Sequence, residues 1–411
     1  MKRGALIAGL DLGSTKTCAV IGEVRAETGD LRVRVLGVGT ARATGVKRGL
    51  VRDIEETTQS VVRAIRDAER MAGVKVSAVF CGIAGDHVRT QMSTGLASVT
   101  GDEIRRQDTD RVDDVARAVS LGDGYELLHS IPQEYKVDSQ RGISDPVGMT
   151  GLRLEVEMCL IATQAQAAQN LRKAVQRGGY GVGELVLEPL AGALAVLTDE
   201  ERELGCALVD LGGGSTTVAV FHDGKLRHLA SLPYAGSHVT NDLVQGLGVT
   251  QADAERLKER WGVAYNTENV NPEELVELPA PPGHQARQAK RELLTHIIQE
   301  RLDEIFGLVL EHVEAAGYVG RLPSGIILTG GGAQLTNIVE LGREVFAMPV
   351  RTGVPGRGIT GLVDSVQEPR FAVPVGLVLY GARRRAHGEL FGGTGAGRWV
   401  APVKRWLQDF F

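Results

Sequence analysis

Two short segments of the sequence have the composition of loops that bind phosphate groups. The first consists of Asp11, Leu12, Gly13, Ser14, Thr15 and Lys16, and the second of Asp210, Leu211, Gly212, Gly213, Gly214, Ser215 and Thr216. Consecutive small residues let backbone N–H groups converge on an anion, and Lys16 adds a positive charge. Two such loops that face each other would clamp a polyphosphate. Asp11 and Asp210 would then hold Mg²⁺, mostly through water, because Mg²⁺ gives up its water ligands reluctantly.

A third glycine-rich segment follows an apolar run near the end of the chain. It consists of Thr329, Gly330, Gly331, Gly332 and Ala333, and we predict a helix from residue 335. Here the backbone can pass close to a flat base or a sugar, with a helix N-terminus pointing inward. Glu255 and Lys258, three residues apart on a predicted helix, share a face suited to ribose hydroxyls and adenine.

Each of these features, taken singly, also has an ordinary structural explanation. The first loop would serve as a hairpin turn, the three glycines as a simple loop, and Glu255 with Lys258 as a solvated ion pair. The order of the three glycine-containing segments along some 320 residues is what favours a nucleotide site.

The elements that carry the two phosphate loops are similar. Apolar runs at 5–12 and 17–24 flank the first loop, and the run ending at Asp210 and the run after Thr216 flank the second. Such runs, rich in Val, Ile and Leu, predict buried strands. Because the two copies lie about half the chain apart, the pattern predicts two similar lobes.

The rest of the sequence divides into further predicted units. We predict a helix at 53–72, a strand at 76–83, a helix near 102–120, strands near 127–138 and 152–162, a loop at 266–288 and a long helix at 289–316. The more polar stretch at 86–164 indicates an inserted subdomain, and a glycine-rich linker (388–397) precedes a tail (398–411).

Composition narrows the function classes. The formal net charge of −5 argues against a nucleic-acid partner, which requires a clustered basic excess. Each of the four cysteines lies in an apolar run, so we predict buried, reduced thiols. The sequence contains no run of 18 apolar residues, so we expect no membrane-spanning helix.

The tail has the pattern of an amphipathic helix. Its large apolar residues recur at helical spacing and are Trp399, Val400, Val403, Trp406, Leu407, Phe410 and Phe411. Its basic residues are Arg398, Lys404 and Arg405. Together these suit the headgroup boundary of an anionic membrane, bound weakly and reversibly and strengthened by self-association. The alternative is a helix that packs back on the body.

The three nucleotide features resemble those of the actin, Hsp70 and sugar-kinase superfamily. Within it, residues 185–216, 232–243 and 359–381 are similar to the FtsA family of bacterial cell-division proteins. The resemblance implies an α/β, actin-like fold of two lobes, with duplicated ribonuclease H-like mixed sheets and flanking helices. It also implies a first lobe (1–85 with 165–200 and 359–387), an FtsA-type inserted subdomain (86–164), a second lobe (201–232 and 307–358) with its own subdomain (233–306), and a C-terminal amphipathic helix. Glu188 matches the position that orients the attacking water, so that Glu188, Asp11 and Asp210 would support at most slow ATP hydrolysis with Mg²⁺.

The same resemblance implies partners and a location. We expect self-association into filaments, contacts with other division proteins, and binding of the C-terminal peptide of the tubulin-like FtsZ by the subdomain at 233–306. Asn241 and Arg301 are the candidate peptide contacts. The alternative is that Asn241 caps a helix and that Arg301 is a solvated side chain on a helix. The expected location is peripheral, on the cytoplasmic face of the inner membrane at the division site.

Three other functions are considered as alternatives to this expectation. A pilus-assembly relative would share the nucleotide core but lack the amphipathic tail. A metabolic kinase of the superfamily would need a general-base aspartate in a substrate pocket, and we identify none. We do not expect a chaperone-like ATPase, because the sequence leaves no room for a peptide-binding domain after the nucleotide fold.

Overall fold

The computed structural model describes residues 4–27, 30–267, 270–279 and 287–386. The predicted linker and amphipathic tail lie outside the described residues. The strands of the first half are β1 (Ala5–Leu12), β2 (Lys16–Glu27), β3 (Asp30–Arg42), β4 (Val46–Lys47), β5 (Leu50–Val51), β6 (Ala78–Ile83), β7 (Val88–Ser98), β8 (Tyr125–Val137), β9 (Gln140–Ile143), β10 (Arg153–Gln164) and β11 (Gly181–Leu187).

The second half adds shorter strands, and helices occur throughout. These strands are β12 (Cys206–Leu211), β13 (Thr216–His222), β14 (Lys225–Leu232), β15 (Leu275–Leu278), β16 (Arg287–Lys290), β17 (Ile326–Thr329), β18 (Val350–Thr352) and β19 (Ile359–Gly361). The helices are α1 (Ile54–Ala72), α2 (Arg106–Arg117), α3 (Ala165–Arg177), α4 (Glu188–Val196), α5 (Asp199–Leu204), α6 (Gly236–Leu247), α7 (Gln251–Trp261), α8 (Arg291–Ala315), α9 (Ile338–Phe346) and α10 (Ala372–Ala386).

The two lobes contain sheets of the same topology. The first sheet has the order β11-β6-β1-β2-β3-β19, and the second has the order β14-β13-β12-β17-β18. In each, three antiparallel strands come first in the chain and parallel strands join the edge of the first of them. Strand β19 is an extra strand beside β3. The duplication predicted from the two aspartate-ending strands is therefore confirmed.

Helix α1 begins at Ile54, one residue after the predicted start, and ends at the predicted Ala72. The side chain of Asp53 accepts the N–H of Glu56 at 2.9 Å, and Gly73 ends the helix in the left-handed conformation. Its apolar face, which includes Val61, Ile65 and Ala68, is fully buried against β3 and β2. This packing fixes the helix on the half of the first sheet that contains β2 and β3.

Helices α4 and α10 join the lobes. They pack on each other so closely that a Cβ at Gly376 would overlap the carbonyl of Ala191. The core around them includes Leu208 and Ile327 from the second lobe. The position of α4 matters for function because its first residue is Glu188.

The inserted subdomain forms an antiparallel sheet of order β7-β10-β8-β9 with α2 packed on it. Its separate core includes Val112, Leu154 and Met158. The helix and the two strands predicted here are present at 106–117, 125–137 and 153–164. Strand β7 was not predicted, because its exposed positions alternate with buried small residues and the segment lacks an apolar run.

Two other predictions about local structure were wrong. Residues 266–288 are not only a loop, since Leu275–Leu278 pairs with Arg287–Lys290. The glycine segment does not lead straight into an α-helix either. A 3₁₀ turn occupies Gly331–Gln334, and α9 begins only at Ile338, after Asn337 in the left-handed conformation. No helix N-terminus therefore directly follows these glycines.

The four cysteines are buried and free, as predicted. Burial raises the pKa of Cys18 to about 12, which keeps this thiol protonated and unreactive. No helix within the described ranges is long and apolar enough to cross a membrane. The predicted domain boundaries stay a prediction, although each sheet lies within one predicted unit.

Candidate functional site

The two predicted phosphate loops have the same backbone geometry. In the first, the N–H of Gly13 donates to the carbonyl of Lys16 at 3.0 Å, and in the second the N–H of Gly212 donates to the carbonyl of Ser215 at 3.1 Å. Each bond closes a tight turn between antiparallel strands, β1 with β2 and β12 with β13. The repeated sequence thus produces a repeated structure at the carboxyl ends of β1 and β12.

The two loops lie against each other across the lobes. A Cβ at Gly213 would stand 2.5 Å from Cγ2 of Thr15, and a Cβ at Gly214 would stand 2.7 Å from Cβ of Ser14. A Cβ at either glycine would require the side chain of Thr15 or Ser14 to shift. The fold therefore brings together two segments that are separated by half the chain.

Three half-buried carboxylates converge beside these loops. Burial raises the pKa of Asp11 to about 6, against an opposing effect of Lys16. Burial raises the pKa of Asp210 to about 7, and the charge of Asp11 adds to the shift. The pKa of Glu188 is raised by burial and then by Asp11 and Asp210. Such mutual repulsion is typical of a site that binds a cation or works as an acid–base group.

Within the described residues, no group of three His, Cys, Asp or Glu side chains is placed to bind a metal ion. The binding of Mg²⁺ by Asp11 and Asp210, mostly through water, stays a prediction. Lys16 is close by: its Nζ donates to the carbonyl of Arg370 at 2.8 Å and lies 4.8 Å from the Phe371 ring centroid.

The predicted adenosine segment packs on the second phosphate loop. Gly330 has φ +83°, and a Cβ there would overlap Oδ1 of Asp210. The Gly330 N–H donates to the carbonyl of Pro369 at 3.3 Å, and a Cβ at Gly332 would overlap the side chain of Leu211. Gly331, in contrast, has open space where a Cβ would stand. The third predicted segment is therefore in the same cleft as the first two.

Glu255 and Lys258 also reach this cleft. The Lys258 Nζ donates to Glu255 at 2.9 Å, to Oγ1 of Thr240 at 2.8 Å and to the carbonyl of Gly236 at 3.1 Å. Gly236 in turn donates its N–H to the carbonyl of Gly212, so the pair lies one contact away from the second phosphate loop. The predicted shared face on α7 is present.

The site also contains features that sequence reasoning missed. The first turn of α6 binds the second phosphate loop, because Ser237 donates its N–H to the carbonyl of Gly213 at 2.8 Å. The hydroxyl of Thr216 donates to the carbonyl of Tyr234 at 2.7 Å and faces the protein. In the sequence, Gly236 and Ser237 follow the apolar residues Tyr234 and Ala235, and this pattern could have predicted the start of the helix.

A histidine of the inserted subdomain contacts the backbone next to Glu188. Nε2 of His129, on β8, accepts the N–H of Leu187 at 3.0 Å, and His129 is 1% exposed. Burial lowers the pKa of His129 to about 3, and the charge of Arg384 contributes. The imidazole is therefore neutral, with its proton on Nδ1.

His129→Leu is expected to lower the free energy of unfolding by about 1–3 kcal/mol at pH 7.5, because it leaves the Leu187 N–H buried and unpaired. The folded pKa is depressed, so the native protein loses stability as pH falls from about 6.5 towards 3, where only the unfolded histidine binds a proton. In the variant, the unfolding free energy should lack this part of the pH dependence. Urea unfolding at several pH values measures both effects. His296→Leu, at a side chain that is 68% exposed, is the control, and equal slopes in all three proteins would contradict the prediction.

The candidate peptide contacts lie on the surface of the second lobe's subdomain. Asn241 is exposed on α6. Arg301, on α8, donates to Asp242 at 2.5 and 3.1 Å and also pairs with Glu304. The candidate membrane residues of the tail lie outside the described residues.

Solved structures with the same fold are actin-like. The chain is similar to a structure titled "PilM-PilN type IV pilus biogenesis complex", with a TM-score of 0.66 and 16% identity, covering 92% of this chain and 98% of the other. It is also similar to MreB5 of Spiroplasma citri bound to ADP, with a TM-score of 0.55 and 14% identity, covering 94% and 99% of the two chains. The fold is thus actin-like.

Sequence relatives give the family. A family model described as "Cell division protein FtsA" matches residues 207–376, and one described as "SHS2 domain inserted in FTSA" matches residues 85–162. Cell division protein FtsA of Pseudomonas aeruginosa is 39% identical, covering 100% of this chain and 99% of the relative. That of Escherichia coli is 37% identical, covering 99% and 98%. The chain therefore belongs to the FtsA family of actin-like cell division proteins.

Proposed function

We propose that this division protein binds ATP with Mg²⁺ in the cleft between its lobes. The observation that carries the proposal is the contact between the two phosphate loops beside three carboxylates with raised pKa values. Structures of the similar MreB5 from Spiroplasma citri carry ADP in one case and AMPPNP in another. We propose that this chain binds an adenine nucleotide in the same way.

The residues present fit such a ligand. Small residues in both loops leave backbone N–H groups to hold phosphates, with Lys16 as a nearby cation. Asp11 and Asp210 would hold Mg²⁺ through water, and the bound Mg²⁺ would neutralise phosphate charge. Gly330, Gly331 and Gly332 would lie against the base or sugar, with Glu255 and Lys258 near the ribose.

Glu188 is proposed to orient water at the terminal phosphate. It opens α4, and Gly82 on the adjacent β6 leaves it room, since a Cβ there would be 2.9 Å from Cγ of Glu188. Burial, and then the charges of Asp11 and Asp210, raise the pKa of Glu188 well above its usual range, and a bound cation would oppose this shift. Hydrolysis, if measured, should be slow and should be lost in Glu188→Gln.

The division role of the chain is proposed to depend on attachment and assembly. Residues 398–411 would form the amphipathic helix that binds anionic lipid on the cytoplasmic face of the inner membrane. Filaments of the chain would strengthen this weak attachment by avidity. The surface with Asn241 and Arg301 would bind the C-terminal peptide of FtsZ. Since Arg301 already donates to Asp242 and Glu304, an acidic peptide would compete with these partners.

Liposome co-sedimentation tests the attachment. The full chain should sediment with vesicles that contain anionic lipid, more strongly with ATP, and a truncation after Gly397 should stay in the supernatant. Vesicles of zwitterionic lipid alone control for the electrostatic part. Equal sedimentation of the truncated and full-length chains would refute the proposed role of the tail.

The alternative functions have separate tests. A coupled kinase assay with common sugars should give no turnover, and turnover on any of them would favour the metabolic kinase. The pilus-assembly alternative draws support only from fold similarity at 16% identity, whereas relatives named FtsA reach 39% over the full chain.

A further inference from the structure

The turn between β4 and β5 touches both phosphate loops. The N–H of Arg48 donates to Oγ of Ser14 in the first loop at 3.0 Å. The same nitrogen lies 3.3 Å from the position that a Cβ of Gly214, in the second loop, would take. The turn of Lys47, Arg48 and Gly49 therefore lies at the junction of the two loops. None of the sequence motifs predicted that this turn belongs to the site.

The backbone of this turn is held in one conformation. Arg48 has φ +53° and Gly49 has φ +74°, so a non-glycine residue adopts a left-handed conformation that the surroundings must maintain. Gly49 packs against the carbonyl of Ala84, and His87, which is 2% exposed, lies beneath it with Cε1 3.3 Å from where a Cβ would stand. The position of Arg48 is thus set by the first lobe.

The charge at this turn is not neutralised by the protein. Lys47 and Arg48 are both exposed, and in the described part of the chain Arg48 forms no ion pair with a carboxylate. Burial lowers the pKa of His238, and the charge of Arg48 lowers it further. His238 is in the first turn of α6, the helix whose N–H groups bond the second phosphate loop. The positive charge of Arg48 therefore acts across the cleft, towards the second lobe.

We propose that Arg48 binds the terminal phosphate of a bound nucleoside triphosphate and so lets the protein distinguish a triphosphate from a diphosphate. This inference rests on the proposed nucleotide function. A guanidinium offers a planar fork of donors that matches phosphate oxygens. Because the Arg48 N–H also bonds Ser14, a phosphate held by Arg48 would fix the first loop against the second.

The test compares Arg48→Gln with Lys47→Gln in the full chain. Both substitutions remove one positive charge from the same turn. Arg48 is the residue next to the first phosphate loop, because its backbone N–H donates to Ser14. Titration calorimetry with Mg²⁺ would measure the affinities for ATP and ADP. Arg48→Gln should weaken ATP about tenfold or more and ADP by less than about threefold, and Lys47→Gln should change neither by more than about threefold.

The outcomes separate this inference from the function on which it rests. If the unaltered chain binds neither nucleotide, the proposed function fails. If it binds both and Arg48→Gln keeps the same ratio of ATP to ADP affinity, only the role of Arg48 is overturned. A parallel loss of both affinities, or an equal loss in Lys47→Gln, would also overturn it, because it would indicate a structural or a general electrostatic effect.

Discussion

Asp210→Asn is expected to reduce Mg²⁺-dependent ATP binding by at least about 100-fold while making the nucleotide-free protein more stable at pH 8. The carboxylate lies beside Asp11 and Glu188. Burial, and then the charge of Asp11, raises the pKa of Asp210 to about 7. The amide keeps the shape but cannot supply the charge that holds a hydrated cation. Loss of function and gain of stability from one substitution would identify a site that is strained without its ligand.

The sign of the pH effect follows from the raised pKa. A carboxyl with a folded pKa near 7 and an unfolded value near 3.8 favours folding at low pH. That contribution is lost as the pH rises through 7, up to an upper limit of about 4 kcal/mol, because only the unfolded chain ionises freely. The stabilisation by Asp210→Asn should therefore grow from pH 6 to pH 8.

Calorimetric titration with ATP, with and without Mg²⁺, measures the first effect, and urea unfolding at pH 6 and pH 8 measures the second. Asp364→Asn, at an exposed aspartate in a 3₁₀ turn, is the matched control and should be neutral in both. Unchanged Mg²⁺-dependent binding in Asp210→Asn would show that this carboxylate does not hold the cation. A stabilisation that is equal at the two pH values would contradict the assigned pKa.

Gly330→Ala is expected to cost about 2–4 kcal/mol of unfolding free energy and to weaken ATP binding. Two effects act together. The backbone at φ +83° is strained for any residue with a Cβ, by about 1–2 kcal/mol. The new methyl group would also overlap Oδ1 of Asp210 and the carbonyl of Leu211, so the carboxylate must move from its place beside the loop.

The neighbouring glycine is the natural control for this substitution. Gly331 does not have a positive φ, and open space surrounds the position of its Cβ. Gly331→Ala should change the unfolding free energy by less than about 1 kcal/mol. Thermal or urea unfolding together with ATP titration of both variants gives the comparison. Equal effects of the two substitutions would mean that the contact between Gly330 and Asp210 is not important for the site.

Much of the site could be predicted because short segments of the sequence encode its turns and strands. The small residues after Asp11 and Asp210 encode two tight turns, and their repetition encodes two similar sheets. Apolar periodicity and end signals gave α1 within one residue of its observed start. Strands β15 and β16 were missed because they are only four residues long and mostly exposed, so no apolar run marks them.

The amino-acid sequence by itself determined the strand-turn-strand units with their aspartates, the buried cysteines and the membership in a family, because local spacing and composition encode these. Only the tertiary structure decided which distant groups meet: His129 with Leu187, Gly330 with Asp210, and Arg48 with Ser14. Such pairings depend on how helices and sheets pack, and a close approach or a shared buried charge leaves no periodic trace in the sequence.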